Sequence, residues 1–289
     1  MSALKSKWFL KKCVKFCVSK WYNLLCKVGI REPKFICMLD GGICSQMLQY
    51  YVGKQIGGSN VYYDLNFWRR TGGVDGLGNK NRPFELLELF PELEFKESSA
   101  KDASFYRRYL QVNSSDCVAP AYLNNYRFGI GLENFGKYFS LENARCSEKL
   151  ASKLMMINCG MSCGVHIRRG DLANNDNPYY GHFSMEYIRN AVTYVKNADS
   201  SVRFYVFSDD VEWVLAHKGE MFLDNAVVME GNTGSEDLFL LANCSYIVAS
   251  QGTAGRVAAL INGQSMLIMQ KGDPHNKSYL EAHENCVLL

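Results

Sequence analysis

The chain has 289 residues, 47% hydrophobic and 21% charged, which is enough for one large or two modest domains and is neither disordered nor fibrous in composition. No uncharged apolar run approaches the roughly 20 residues of a membrane-spanning helix, and Lys11-Lys12 interrupts Trp8-Phe9-Leu10, which argues against a secretion signal. Eleven cysteines without a Cys-x-x-Cys pair argue against a zinc site or a disulfide framework and for thiols in a reducing cytoplasm, where the Asn-x-Ser sequons at Asn113, Asn243 and Asn276 mean little.

The net charge of +3 is unevenly spread. Residues 1–31 carry eight basic side chains and no acid, leaving 24 basic against 29 acidic residues in the remainder, a net of −5. At about 100° per residue, Leu10, Val14, Cys17, Trp21, Leu24, Leu25 and Val28 form one stripe, with Lys11, Lys12, Lys15, Lys20 and Lys27 outside it. Residues 1–33 therefore read as a basic amphipathic helix. It suits an anionic membrane surface or packs on the body with its lysines solvated. The acidic body offers no continuation of the positive charge, so nucleic acid is not expected as a partner.

Phe35 to Leu39 reads as a strand, Asp40-Gly41-Gly42 as a turn, and Met47, Leu48, Tyr51, Val52 and Ile56 as the inner face of a helix. Such a turn lets backbone N–H groups face an anion or a sugar hydroxyl. It carries neither the P-loop lysine nor the dinucleotide glycine pattern. Residues 57–145 are less regular, with a helix expected over Phe84–Phe90 and an aromatic-rich stretch over 116–143. Those aromatics suit either sugar stacking or ordinary packing.

From residue 162 the pattern alternates. Ser162 to Ile167 is a buried strand that ends in Arg168-Arg169-Gly170-Asp171. Two arginines at a strand end suit a phosphate, with Asp171 orienting the fork. A solvated loop balanced by Asp171 is the alternative. Helices follow at Ser184–Lys196, Val211–His217, Asp237–Cys244 and Ala254–Ile261, and strands at 204–207, 226–229, 246–249 and 265–269. This order predicts an α/β fold with a parallel sheet covered on both faces. Polar clusters at 168–171, 208–210, 231–235 and 250–253 then line the carboxyl ends of the strands, where open sheets bind ligands.

His166-Ile167-Arg168-Arg169-Gly170-Asp171 resembles the His-x-Arg-Arg-Gly-Asp signature of α1,2-fucosyltransferases, glycosyltransferase family 11. Ser208-Asp209-Asp210 with Trp213, the helix from Asp237 to Cys244, and Gly252-Thr253 before Ala258-Ala259 are similar to its later motifs. Asp40-Gly41-Gly42 with Gln46-Met47 and Gln49-Tyr50 resembles its N-terminal loop, and Lys137-Tyr138-Phe139 the end of its aromatic stretch. Departures are Cys44 and Ser45, where the family has Gly and Asn, and Ala254, Arg256 and Val257, which replace a stretch rich in Phe and Trp.

The resemblance implies a GT-B-like fold of two Rossmann-like domains: an acceptor-side domain at 34–155 and a donor-binding domain at 156–289. It implies GDP-β-L-fucose as donor, an α-fucoside as product and no metal or other cofactor. Arg168 or Arg169 would bind the β-phosphate, with Ser250, Gly252 and Thr253 beside it. His166 and Asp237 would face the nucleoside, and Ser208, Asp209, Asp210, Gly41 and Gly42 complete the donor site. Asp171 would brace the arginines, and Asp176 occupies the place of an acidic residue that could serve as base. Gln46, Tyr122 and Tyr126 are the acceptor-side candidates. The acceptor implied is a glycan, O-2 of a β-galactoside, of the lipid-linked O-antigen or lipopolysaccharide kind, assembled at the inner face of a cytoplasmic membrane. A transferase for another nucleotide sugar and a non-catalytic glycan-binding relative are the competing readings.

Overall fold

The computed structural model describes residues 2–74, 82–112, 119–125, 129–170, 184–273 and 276–289, with side chains from residue 7 onward. In chain order its main elements begin with helix α1 (Ser2–Lys27), strand β1 (Phe35–Met38), α2 (Ile43–Gly57), β2 (Val61–Asp64), α3 (Asn66–Thr71), α4 (Leu86–Leu89) and α5 (Ala100–Tyr109). Short strands β3 (Gln111–Val112) and β4 (Ala121–Leu123) follow, then α6 (Phe135–Tyr138) and α7 (Glu148–Asn158). The regular half runs β5 (Ser162–Ile167), α8 (Met185–Ala198), β6 (Arg203–Ser208), α9 (Val211–His217), β7 (Val227–Met229) and α10 (Gly234–Ala242). It closes with β8 (Tyr246–Ala249), α11 (Ala254–Asn262), β9 (Met266–Met269), α12 (Asn276–Ala282) and β10 (Cys286–Leu288). None of the described helices is long and apolar enough to cross a membrane.

The chain divides into two compact units, residues 1–84 with 94–130 and residues 85–93 with 131–289. The sequence reading instead set residues 1–33 apart and placed the border after 155. Packing explains both differences. The Tyr22 and Tyr106 hydroxyls lie 2.7 Å apart in a buried contact that ties α1 to α5. In the second unit, the Phe139 ring packs on Phe90 and Phe135 with centroids 5.2 and 4.7 Å apart, which gathers residues 131–155 there.

The first unit holds a parallel four-stranded sheet in the order β2-β1-β4-β3. Ile36, Tyr122, Ala103, Tyr106 and Tyr22 form a core between this sheet and the helices α5 and α1. Ser99 caps α5 by accepting a 3.0 Å bond from the Asp102 amide, and Arg107 and Arg108 complement the other end of the helix dipole. The helix expected over Phe84–Phe90 is a single turn, α4.

The second unit is a six-stranded parallel sheet in the order β10-β9-β8-β5-β6-β7. Numbered from β5, that is the doubly wound 3-2-1-4-5-6 arrangement, in which the chain reverses direction along the sheet between β5 and β8. Cys163, Val165 and Ile167 alternate on one face of β5 and pack against Ile188, Val192 and Val195 of α8. Ser184 caps α8 by accepting from the Tyr187 amide at 3.1 Å.

Helix α11 lies close against β8. A Cβ built on Gly255 would stand 2.7 Å from Ala249 Cβ and 3.0 Å from Ala249 Cα, so only glycine fits there without moving backbone. Gly255→Ala is expected to cost about 1–3 kcal/mol of stability by overpacking this contact. Urea unfolding checks it, and an unchanged midpoint would contradict the close-packed geometry.

Candidate active site

The strand ends around the β5/β8 reversal carry most of the sequence-predicted residues. The Arg168 amide donates to Ser250 Oγ at 2.8 Å, and the Ser250 amide donates to the His166 carbonyl at 3.2 Å. These two bonds stitch the end of β5 to the end of β8. Ser250 is 3% exposed, so its hydroxyl braces the loop and does not present itself to a ligand.

Asp209, at the end of β6, organises the loop after β5. One carboxylate oxygen accepts from the amides of Arg169 and Gly170, both at 2.9 Å, and the other pairs with the Arg168 guanidinium. A carboxylate that accepts from two amides and a guanidinium is a strong, directional anchor. Its neighbour Asp210 turns to the other arginine: Arg169 Nε lies 3.3 Å from Asp210 Oδ2, and the Arg169 guanidinium carbon lies 4.2 Å over the Trp213 ring. Asp210 also caps α9, accepting from the Trp213 amide, while Ser208 Oγ accepts from the Asp210 amide at 3.1 Å. Asp209 and Asp210 thus brace the two arginines, the role the sequence reading gave to Asp171. Asp171 itself, Asp176 and Tyr126 lie outside the described residues.

Gly252 turns the chain at a φ of 93°, and a Cβ there would meet Arg168 Cγ at 3.6 Å. The turn leads through Thr253, the N-cap of α11, so that helix begins beside the Arg168 side chain. Behind it sits Arg256, 1% exposed and absent from the sequence-predicted site. Its guanidinium donates to the Gly252 carbonyl, pairs with Asp273 and bonds Asn276 Oδ1 at 3.0 Å. A buried, paired guanidinium holds a loop in place, and losing one partner costs several kcal/mol. The exchange of an aromatic stretch for one containing Arg256 was the only sign of it in the sequence.

His166 is half-buried on β5, and its Nδ1 has no hydrogen-bond partner among the described residues. Burial, with the positive charges of Arg168 and Arg256, pushes its pKa down to about 4, Asp209 opposing, so the ring is neutral near pH 7. Asp237 lies elsewhere, on the first turn of α10 next to the Thr233–Glu236 capping box. It accepts from Asn232 at 2.7 Å, and burial pushes its pKa up to about 6, against that bond and the Lys153 charge.

In the first unit, Gly41 has a φ of 72° and Gly42 is the N-cap of α2. Gln46 does not reach an acceptor from this loop. It is fully buried and spends its amide on the carbonyls of Gly41 at 3.0 Å and Pro83 at 2.9 Å. Tyr122 is likewise enclosed in the core, where its hydroxyl donates to Asp64 at 2.8 Å, so its ring is closed to sugar stacking. Both corrections have one cause: polar and aromatic groups in a motif can serve the loop's own hydrogen bonds as readily as a ligand's.

His166 gives a pH signature. An unfolded histidine takes up its proton near pH 6.5, whereas the folded one does so near 4, so the unfolded state binds more protons between those values. Its contribution is complete above about pH 6.5 and is lost as pH falls toward 4, on the order of 1–3 kcal/mol. Asp237 contributes with the opposite slope, because its raised pKa favours the protonated folded form. The stability difference between the wild type and His166→Gln cancels that term. It is expected to shrink as pH falls from 7 to 4 in denaturant titrations; a pH-independent difference would contradict the assignment.

Comparison with known proteins places this geometry. Residues 95–285 match the profile of glycosyl transferase family 11. A stretch of 102 residues, 34% of this chain, is 34% identical to an alpha-1,2-colitosyltransferase of Escherichia coli, and the match spans 35% of that relative's length. Among solved structures, the fucosyltransferase NodZ from Bradyrhizobium aligns over 84% of this chain and 96% of its own at 12% identity, with a TM-score of 0.46. The E. coli ADP-heptose lps heptosyltransferase II aligns over 89% and 90% at 12% identity, with a TM-score of 0.44. The profile match covers more than half of the chain and contains the β5 signature with its Asp209 clamp: the protein belongs to glycosyl transferase family 11.

Proposed function

We propose that this chain transfers L-fucose from GDP-β-L-fucose, with inversion, to a glycan hydroxyl, O-2 of a β-galactoside. The observation that carries the reading is the Arg168 guanidinium, set by Asp209 at the reversal point of the sheet and flanked by the start of α11. A nucleoside diphosphate leaving group accumulates negative charge as the glycosidic bond breaks. A fixed guanidinium and the N–H groups of a helix start stabilise that charge more in the transition state than in the bound donor.

Of the two arginines, Arg168 is the proposed phosphate ligand, because Arg169 is folded over Trp213 and beside Asp210. Asp209 and Asp210 face these arginines, so in this scheme guanidinium takes the role a divalent cation plays on other diphosphates. Neutral His166 offers an uncharged ring nitrogen on the strand. Asp237 offers a half-buried carboxyl that prefers a hydrogen-bond donor, as a nucleoside hydroxyl would supply. Leaving-group stabilisation carries the step: the acceptor hydroxyl attacks the anomeric carbon on the face opposite the diphosphate, the bond to GDP breaks, and the hydroxyl proton passes to solvent.

A second reading is favoured by the relative named alpha-1,2-colitosyltransferase: the same linkage formed from a colitosyl donor. Turnover measured with GDP-fucose and GDP-colitose as alternative donors separates the two. Arg168→Ala is expected to weaken GDP binding roughly tenfold to a hundredfold, the scale of a lost charge-assisted contact, and to abolish turnover. Calorimetric titration with GDP, UDP and CMP checks both the residue and the base, and unchanged GDP affinity in the variant would overturn the donor assignment.

A further inference from the structure

Helix α1 uses one face to join the first unit and leaves another in solvent. Tyr22 is 7% exposed and meets Tyr106 and Phe105 of α5. About a third of a turn away, Leu10, Val14, Trp21, Leu24 and Val28 lie within roughly 80° of one another on the helix wheel. Their exposures run from 46% for Val14 to 65% for Leu10. The face that anchors the helix is thus a different one, and this stripe is not spent on it.

Charge flanks the stripe on both sides. On the same wheel, Lys7 and Lys11 border one edge and Lys20 and Lys27 the other, all four exposed. The helix has no acidic side chain along its length, and Lys12 sits 3.8 Å over the Trp8 ring. An apolar ribbon that contains Trp21, between two cationic margins, matches a bilayer interface; Trp8, Phe9 and Phe16, also exposed, lie at or beyond those margins. The ribbon enters the acyl boundary, and the lysines rise to anionic headgroups.

We infer that α1 lies in the plane of an anionic lipid surface, with Leu10, Val14, Trp21, Leu24 and Val28 inserted and the flanking lysines on phosphate headgroups. A protein partner for the stripe would need acidic groups on both sides of an apolar groove, whereas an anionic bilayer supplies that arrangement everywhere. The inference is independent of the donor reading, since none of these residues belongs to the strand-end cluster.

The test is flotation of the full chain with phosphatidylcholine vesicles, with and without phosphatidylglycerol, at low and high salt. The expected result is flotation only with the anionic vesicles, reversed by salt, with a blue shift of tryptophan emission. Leu24→Glu is expected to abolish flotation, and the double variant Lys11→Gln with Lys20→Gln to weaken it roughly thirtyfold. None of the three residues belongs to the core that joins α1 to α5, so both variants should unfold at the wild-type temperature. Equal flotation with neutral and anionic vesicles, or none with either, would overturn the inference. So would a dimer in sedimentation that dissociates on Leu24→Glu, because a second copy would then cover the stripe.

Discussion

The second unit depends on what the Asp209 carboxylate does at the mouth of its sheet. A parallel sheet ends in strand tips whose amides have no ladder partner, and the loop after β5 would leave those of Arg169 and Gly170 open. Asp209 takes both on one oxygen and Arg168 on the other. The loop is thereby shaped by a neighbouring strand, not by its own sequence. The pairing also fixes a guanidinium on a flexible three-carbon stem in one direction before any ligand arrives. That preorganisation, more than the modest energy of a partly exposed ion pair, gives the arrangement its chemical value.

A second layer repeats the device. Ser250 stitches β5 to β8, and the Gly252 turn is held from behind by the buried Arg256, itself neutralised by Asp273. Two loops from strands on opposite sides of the reversal point are therefore clamped from independent directions. Arg168 lies at their meeting, where the start of α11 adds N–H dipoles. Doubly wound sheets place ligands at this point because the flanking loops diverge to opposite faces and leave a crevice. Here side-chain clamps keep both lips rigid.

Much of this was legible in the sequence. The alternation of apolar strands with capped helices from Ser162 to Met269 reports burial on both faces of a parallel sheet, and the structure has that sheet. The strand-end polar clusters located the carboxyl edge of the sheet, because loop residues that bind or brace are polar while the strands are not; the strand order that puts the reversal between β5 and β8 is seen only in the structure. Roles within the clusters were not legible. Asp209 and Ser250 look like ligand contacts in a motif, and only the register of β5 with β6 and β8 shows that they brace the loop. Gln46 and Tyr122 were misread for the same reason, since polarity in a motif does not say which partner satisfies it. Arg256 was invisible as a clamp because its partners Asp273 and Asn276 are 17 and 20 residues away. The border between units was misplaced because Phe90, Phe135 and Phe139 meet across a gap in sequence that no local pattern reveals.

The central claim is that the clamped Arg168 guanidinium receives a nucleoside diphosphate at the β5/β8 reversal. A crystal structure of the chain with GDP, grown without divalent cations, tests it most directly. The account predicts the β-phosphate within hydrogen-bond distance of Arg168 and of the backbone amides at the start of α11, with Asp209 still holding the amides of Arg169 and Gly170. A diphosphate bound away from the ends of β5 and β8, or a guanidinium of Arg168 that stays on Asp209 with no contact to the nucleotide, would contradict it.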